Sequence, residues 1–204
     1  MITPEPVVYI IDDDEPVRDS LSWLISSVDL HVKTYASATA FLEECGQVQT
    51  GCLITDIRMP GLSGLDLQNE LKVRGIEIPV IVISGHGDVQ TAVRAMKAGA
   101  FDFIEKPFND QLLLDLVNQA VTHSLSSSEA HTQQADLLAC RDSLTPRERQ
   151  VLDLIVLGAP NKSIARELAI SDKTVEAHRA KVMSKMQASS LAELVKMVLS
   201  LEQN

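Results

Sequence analysis

Five polar residues in the first half of the chain stand where they could act together. Asp12 and Asp13 close the apolar run Val7-Val8-Tyr9-Ile10-Ile11, and Asp56 closes Cys52-Leu53-Ile54-Thr55. Ser84 follows Pro79–Ile83, and Lys106 follows Phe101–Glu105. Each run is too short for a helix and ends in polar or turn residues, so each reads as a buried strand. On a parallel sheet such strand ends share one edge, where open α/β sheets bind ligands. Three carboxylates crowded there repel one another and raise at least one proton affinity. Mg²⁺ relieves that repulsion: it takes a few carboxylate oxygens, keeps several waters and leaves room for phosphate. Lys106 can meet one phosphoryl oxygen as a mobile point charge. The Ser84 hydroxyl, in Ser84-Gly85-His86-Gly87, can donate to another. Asp56 alone reads equally well as an aspartate capping a loop; the other four residues favour a site.

The elements that must position these residues follow from apolar spacing. A further strand is expected at His31–Tyr35. Pro16 suits the first turn of a helix, and Val17, Leu21, Leu24, Ile25 and Val28 form its apolar stripe. Helical patterns recur at Ala38–Cys45, Gly64–Arg74, Asp88–Ala98 and from Asn109 onward. Five strands alternating with five helices predict an α/β domain with a doubly wound, five-stranded parallel sheet, covered on both faces. Pro60, Gly61 and Gly64 make a stiff turn after Asp56, where backbone can approach a ligand closely.

The chain has 204 residues, room for one or two domains. Its net charge of −10 conceals an asymmetry: residues 1–124 carry 8 Lys/Arg against 18 Asp/Glu, and residues 141–204 carry 10 against 8. An acidic front and a mildly basic back point to different partners. Cys45, Cys52 and Cys140 form no C-x-x-C and read as reduced thiols without a metal site. Met1 to Pro6 lacks the features of a signal peptide, and no apolar run nears the ~20 residues that span a bilayer. A cytoplasmic protein with no membrane partner is the expectation.

Over about residues 5–124 these residues resemble the receiver domain of bacterial two-component response regulators. The resemblance rests on Asp12-Asp13, on Asp56 followed by Met59-Pro60-Gly61, on Ser84, and on Lys106-Pro107-Phe108. Ser84-Gly85-His86-Gly87-Asp88 and Ala95-Met96-Lys97-Ala98-Gly99-Ala100 resemble the FixJ/NarL family in particular. The resemblance implies that Asp56 accepts phosphate from a phosphohistidine on a sensor histidine kinase. It implies Mg²⁺ held by Asp13, Asp56 and the Arg58 backbone carbonyl, with Asp12 acting mainly through water. It implies a cis Lys106–Pro107 bond and a switch formed by Ser84 and Phe103. Asp14 and Glu15 read as a solvated helix start.

The serine-rich stretch Ser124–Glu129 weakens the last receiver helix, so a partly helical linker is expected over 125–143. Residues 144–204 then hold four short helical patterns, an all-α domain. Thr145-Pro146 with Glu148 opens the first, and Gly158 ends it. Asn161 is expected to cap the second and Ser171 the third, which runs to about Met186; a fourth follows Ser190. A tight turn between the second and third suits a helix-turn-helix, though pattern alone fits a helical bundle equally well. The segment resembles the LuxR-type DNA-binding domain through Leu144-Thr145-Pro146-Arg147-Glu148, Asn161-Lys162-Ser163-Ile164-Ala165, Lys173-Thr174-Val175-Glu176-Ala177-His178-Arg179 and Lys185-Met186. Pro160 is less usual there.

On the third pattern Val175, Val182 and Met186 fall within about 20° of one direction at ~100° per residue, so they should face the core. The opposite side carries Lys173, Ala177, Ala180 and Ser184, flanked by Glu176 and Lys181. The expected DNA contacts are Lys162, Ser171, Lys173, Thr174, Glu176, Ala177, Arg179, Ala180, Lys181 and Lys185. The whole resembles a phosphorylation-activated transcription regulator, with DNA, a homodimer partner and RNA polymerase implied. It implies no enzyme beyond the receiver's own phosphotransfer and dephosphorylation. Two other readings share features with it. A haloacid-dehalogenase-type phosphatase would carry its nucleophile in a D-x-D after the first strand, where Asp12-Asp13-Asp14-Glu15 stands here. A DNA-binding regulator with a phosphorylation-independent receiver would not need all five residues.

Overall fold

The computed structural model describes residues 5–44, 50–85 and 89–202. Cys45, His86, Gly87 and Asp88 lie outside the described residues, as do residues 1–4. The chain divides into two compact units, Met1–Ser128 and Glu129–Asn204.

The first unit alternates β1 (Val7–Ile11), α1 (Glu15–Ser26), β2 (His31–Tyr35), α2 (Ala38–Glu44), β3 (Gly51–Asp56), α3 (Gly64–Val73), β4 (Val80–Ser84), α4 (Val89–Lys97), β5 (Asp102–Glu105) and α5 (Asp110–Asp142). All strand pairs are parallel, in the order β2-β1-β3-β4-β5. β1 and β4 are buried at every position, which explains their unbroken apolar runs. β2 lies at the edge and keeps His31, Lys33 and Thr34 exposed. Strand alternation sends Tyr9, Ile11, Leu53 and Val82 to one core with Phe41, Leu67, Leu71 and Ala95. Val8, Ile10, Ile54, Ile81 and Ile83 go to the other, against Leu21, Ile25, Leu113 and Val117. The expected doubly wound sheet is the one observed. One detail of α1 differs: the helix stops at Ser26, so Val28 leaves the apolar stripe and is exposed.

The serine run does not break α5. The Ser126 hydroxyl donates to the Thr122 carbonyl and Thr122 to that of Asn118, four residues back in each case, so these hydroxyls stay within the helix. The Ser124 hydroxyl is buried and accepts a 3.0 Å hydrogen bond from the Gly51 amide, pinning α5 to the start of β3.

The second unit holds α6 (Pro146–Val156), α7 (Asn161–Glu167), α8 (Asp172–Lys185) and α9 (Leu191–Glu202). Thr145 and Glu148 close a reciprocal capping box at α6. Ser171 caps α8 by accepting from the Thr174 amide. At α7 the expected cap shifts: Pro160 occupies the N-cap without a side-chain bond, and Asn161 is the first helical residue. Proline's extended geometry suits that half-in position and needs no donor there. Val151, Leu152, Ile155, Ile164, Val175, Val182, Met186 and Leu194 form the core. α7 and α8 are joined by a short turn through Ala169, whose φ is 52°. This is the all-α helix-turn-helix domain the sequence predicts.

Candidate functional site

Strand register brings the five polar residues to one edge. Ile11 pairs with Thr55, Asp56 with Ile83 and Ser84 with Glu105, so Asp12, Asp56, Ser84 and Lys106 all lie at the carboxyl ends of their strands. The Lys106 ammonium stands 3.1 Å from both Asp12 Oδ2 and Asp56 Oδ1. Burial works against its charge, but hydrogen bonds and attraction to the two carboxylates outweigh this, and its pKa is raised. The Asp14 amide donates to Asp12 Oδ1 at 3.0 Å, and the Arg58 amide donates to Asp56 Oδ2 at 2.6 Å. Asp12 is buried, whereas Asp13 beside it is exposed to solvent. The Lys106–Pro107 bond is cis.

The loop after Asp56 depends on one glycine. A Cβ on Gly64 would sit 2.3 Å from the Asp56 carbonyl oxygen, while the Gly64 amide bonds to the Ile57 carbonyl at 3.1 Å. Only glycine permits that approach. Ser84 is buried at the end of β4, and Phe103 on β5 is half-buried against the core shared by α3 and α4. Arg18 was not singled out by sequence: its guanidinium donates to the Asp12 carbonyl at 2.7 Å. The two are six residues apart, with Arg18 about one turn into α1, and the spacing gives no motif.

In the second unit α8 presents Lys173, Glu176, Ala177, Ala180 and Lys181 to solvent, with Thr174 and Arg179 half-buried; Lys162 is exposed on α7. Val175, Val182 and Met186 are buried as their spacing predicts. Ser171 and Thr174 hold each other at the helix start, their hydroxyl oxygens 2.8 Å apart. Lys185 has a different setting from the rest of the expected contact set. Its ammonium lies 2.7 Å from Glu148 Oε2 and 3.0 Å from the Ser143 carbonyl. The Lys185 bond, followed by that from the Thr145 amide, pulls the Glu148 carboxyl down to about 2. This pair joins the end of α8 to the start of α6. Its partners are 37 residues apart, so no local pattern reveals it. Arg147 similarly donates to the Leu168 carbonyl and ties α6 to the end of α7.

Family models match both halves: the response regulator receiver domain over residues 8–118, and the luxR family of bacterial regulatory proteins over 142–198. The chain therefore belongs to the two-component response regulators, those that pair a receiver with a LuxR-type helix-turn-helix. Within that class it is 51% identical to the transcriptional regulatory protein FixJ of Rhizobium meliloti, covering 95% of each chain. It is 48% identical to the response regulator protein TmoT of Ectopseudomonas mendocina, covering 94% of this chain and 87% of that one. Among solved structures, response regulator StyR matches with a TM-score of 0.89 at 43% identity, over 96% of this chain and 99% of that one. Full-length FixJ from B. japonicum matches with a TM-score of 0.60 at 42% identity, over 98% of each. The protein is a transcription regulator that acts with DNA and a sensor kinase. Among the described residues no helix is long and apolar enough to cross a membrane.

Proposed function

We propose that Asp56 is the phosphoacceptor and that its phosphorylation controls DNA binding by α8. The carrying observation is the Lys106 ammonium 3.1 Å from both Asp56 and Asp12, across three strand ends. An Asp56 oxygen attacks the phosphorus of a kinase phosphohistidine; the O–P bond forms as the P–N bond breaks and the imidazole leaves. Lys106 then meets a phosphoryl oxygen, and Ser84 donates to another. Dephosphorylation by water at the same edge is the only other reaction this site needs, so no separate enzymatic substrate is invoked.

Among the described residues no three His, Cys, Asp or Glu side chains cluster closely enough to hold a metal alone. Mg²⁺ binds through one or two carboxylates, waters and phosphate oxygens rather than a full protein cage. Asp13, Asp56 and the Arg58 carbonyl would hold it, with Asp12 through water. When bound, the ion neutralises charge on the phosphoryl oxygens.

Phosphate draws the Ser84 hydroxyl inward and Phe103 fills the space, reshaping α4 and β5 into a homodimer surface. α8 enters the major groove through its small face of Ala177 and Ala180. Glu176 accepts from a cytosine amine; Lys173 and Lys181 reach phosphates or guanine edges. Lys162, Ser171, Thr174 and Arg179 hold the backbone. Lys185, tied to Glu148, positions the helix rather than touching DNA. Contact with RNA polymerase follows at a promoter, which places the protein in the cytoplasm. The test is labelling with acetyl phosphate and Mg²⁺: wild type should take up one phosphoryl group and Asp56→Asn none. Undiminished labelling of Asp56→Asn sinks the assignment.

A further inference from the structure

At the opposite edge of the sheet from Asp56 lies a pocket of about 580 Å³. Its walls come from the last turns of α3, the start of β4, the α4–β5 connection and the middle of α5. Leu71, Ile76, Ile78 and Phe101 give it an apolar interior. The volume falls within the range of small-molecule sites, ~300–1,000 Å³. None of the phosphate chemistry above uses it.

Three side chains of the lining each have a polar group with no hydrogen-bond partner among the described residues. Gln68 is only 3% exposed, and its amide oxygen is buried without a hydrogen bond. Buried acceptors are nearly always paired, because an unmet one loses its water for nothing. Lys72 lies across Gly99, its Nζ 3.0 Å from where a Cβ would be; among the described residues its ammonium makes no hydrogen bond or ion pair. His123 lies against Phe101 with ring centroids 5.7 Å apart and planes tilted by 58°, and makes no hydrogen bond among the described residues. Glu77, the one acid among the described lining residues, already has an interaction of its own. The pocket thus offers a buried acceptor, an apolar wall with an aromatic face, and an uncommitted cation at the rim.

We propose that this pocket binds a small amphipathic monoanion: a ring-sized apolar body carrying one N–H or O–H donor for Gln68 and a carboxylate for Lys72. The ring packs beside Phe101 and His123, where offset or edge contact with aromatic faces is favourable. Lys72, an ammonium on a flexible stem, reaches the carboxylate without a fixed geometry.

Indole-3-acetate has all three parts and serves as the probe. It is titrated into the full ¹⁵N-labelled chain and followed by NMR. Saturable shifts are expected at the Gln68 side-chain amide and at the Gly99, Ala100 and Phe101 amides, with Kd on the order of 0.1–1 mM for a ligand of this size. Gln68→Leu keeps the volume and removes the acceptor. It should weaken binding about tenfold while melting no lower than wild type, since an unpaired polar group is lost. Lys72→Met should weaken indole-3-acetate by roughly fivefold and leave indole unchanged, the response expected of a charge contact. Absence of saturation by about 10 mM, shifts confined to other surfaces, or wild-type affinity in both variants would each overturn the proposal.

Discussion

Asp12 and Asp13 are neighbours in sequence and opposites in setting. Asp12 is buried and held by Lys106; Asp13 is exposed beside the same edge. In the proposed reading Asp13 makes the direct Mg²⁺ contact and Asp12 the water-mediated one, which suits the exposed position of Asp13. Asp13→Ala should weaken Mg²⁺ binding at least tenfold in calorimetric titration and leave the melting temperature nearly unchanged. Equal Mg²⁺ affinity in that variant would remove Asp13 from the ligand set. Glu148 makes a prediction of the opposite kind, on folding. Its folded pKa of about 2 lies below its ordinary 4.5, so its stabilising effect is present above pH 4.5 and fades as pH falls toward 2. The stability difference between wild type and Glu148→Gln should be constant above that window and close within it, measured by thermal melts across acid pH.

In the proposed reading α8 combines two roles that its charges alone do not distinguish. Lys181 is exposed beside Ala177, whereas Lys185 is bound to Glu148 and to Ser143. Lys181→Ala should weaken binding to all sequences about equally and reduce the salt slope by ~1, as loss of one phosphate contact requires. Glu176→Ala should relax preference at one base position, worth ~1–3 kcal/mol. Lys185→Met should leave the salt slope intact and lower the melting temperature instead. Oligonucleotide-pool binding across several salt concentrations reads all three; a Lys185→Met slope that falls as far as that of Lys181→Ala would return Lys185 to the DNA surface. The core side of α8 is anchored by Met186, and Met186→Ala should cost about 2–5 kcal/mol.

At the scale of the molecule, two compact units carry separate chemistry on one chain. Phosphate chemistry belongs to the acidic first unit and DNA chemistry to the second. Beryllofluoride with Mg²⁺ mimics the phosphoryl group and should convert the full chain to a dimer in sedimentation. Ser84→Ala should still accept phosphate yet dimerise poorly, because in the proposed reading its hydroxyl relays the change. A chain that binds beryllofluoride and stays monomeric would favour a phosphorylation-independent regulator. A Ser84→Ala variant that dimerises normally would remove the proposed relay.

Local pattern determined a great deal of this protein. The run Val7–Ile11 is buried at all five positions and could only be an inner strand. Thr145 with Glu148 announced the start of α6, and the period of Val175, Val182 and Met186 gave the buried side of α8. These are legible because strand, cap and helix geometry act over a few residues. The parallel sheet followed from the alternation of strands and helices, and with it the placing of Asp12, Asp56, Ser84 and Lys106 at one edge. Tertiary structure alone decided which partners those residues take. The Lys106 bridge spans 94 residues to Asp12, and the Lys185–Glu148 pair spans 37. The Ser124 hydroxyl of α5 takes its buried bond from Gly51, 73 residues away. The unpaired Gln68 oxygen is likewise invisible in sequence, because hydrogen-bond satisfaction depends on what packing brings near.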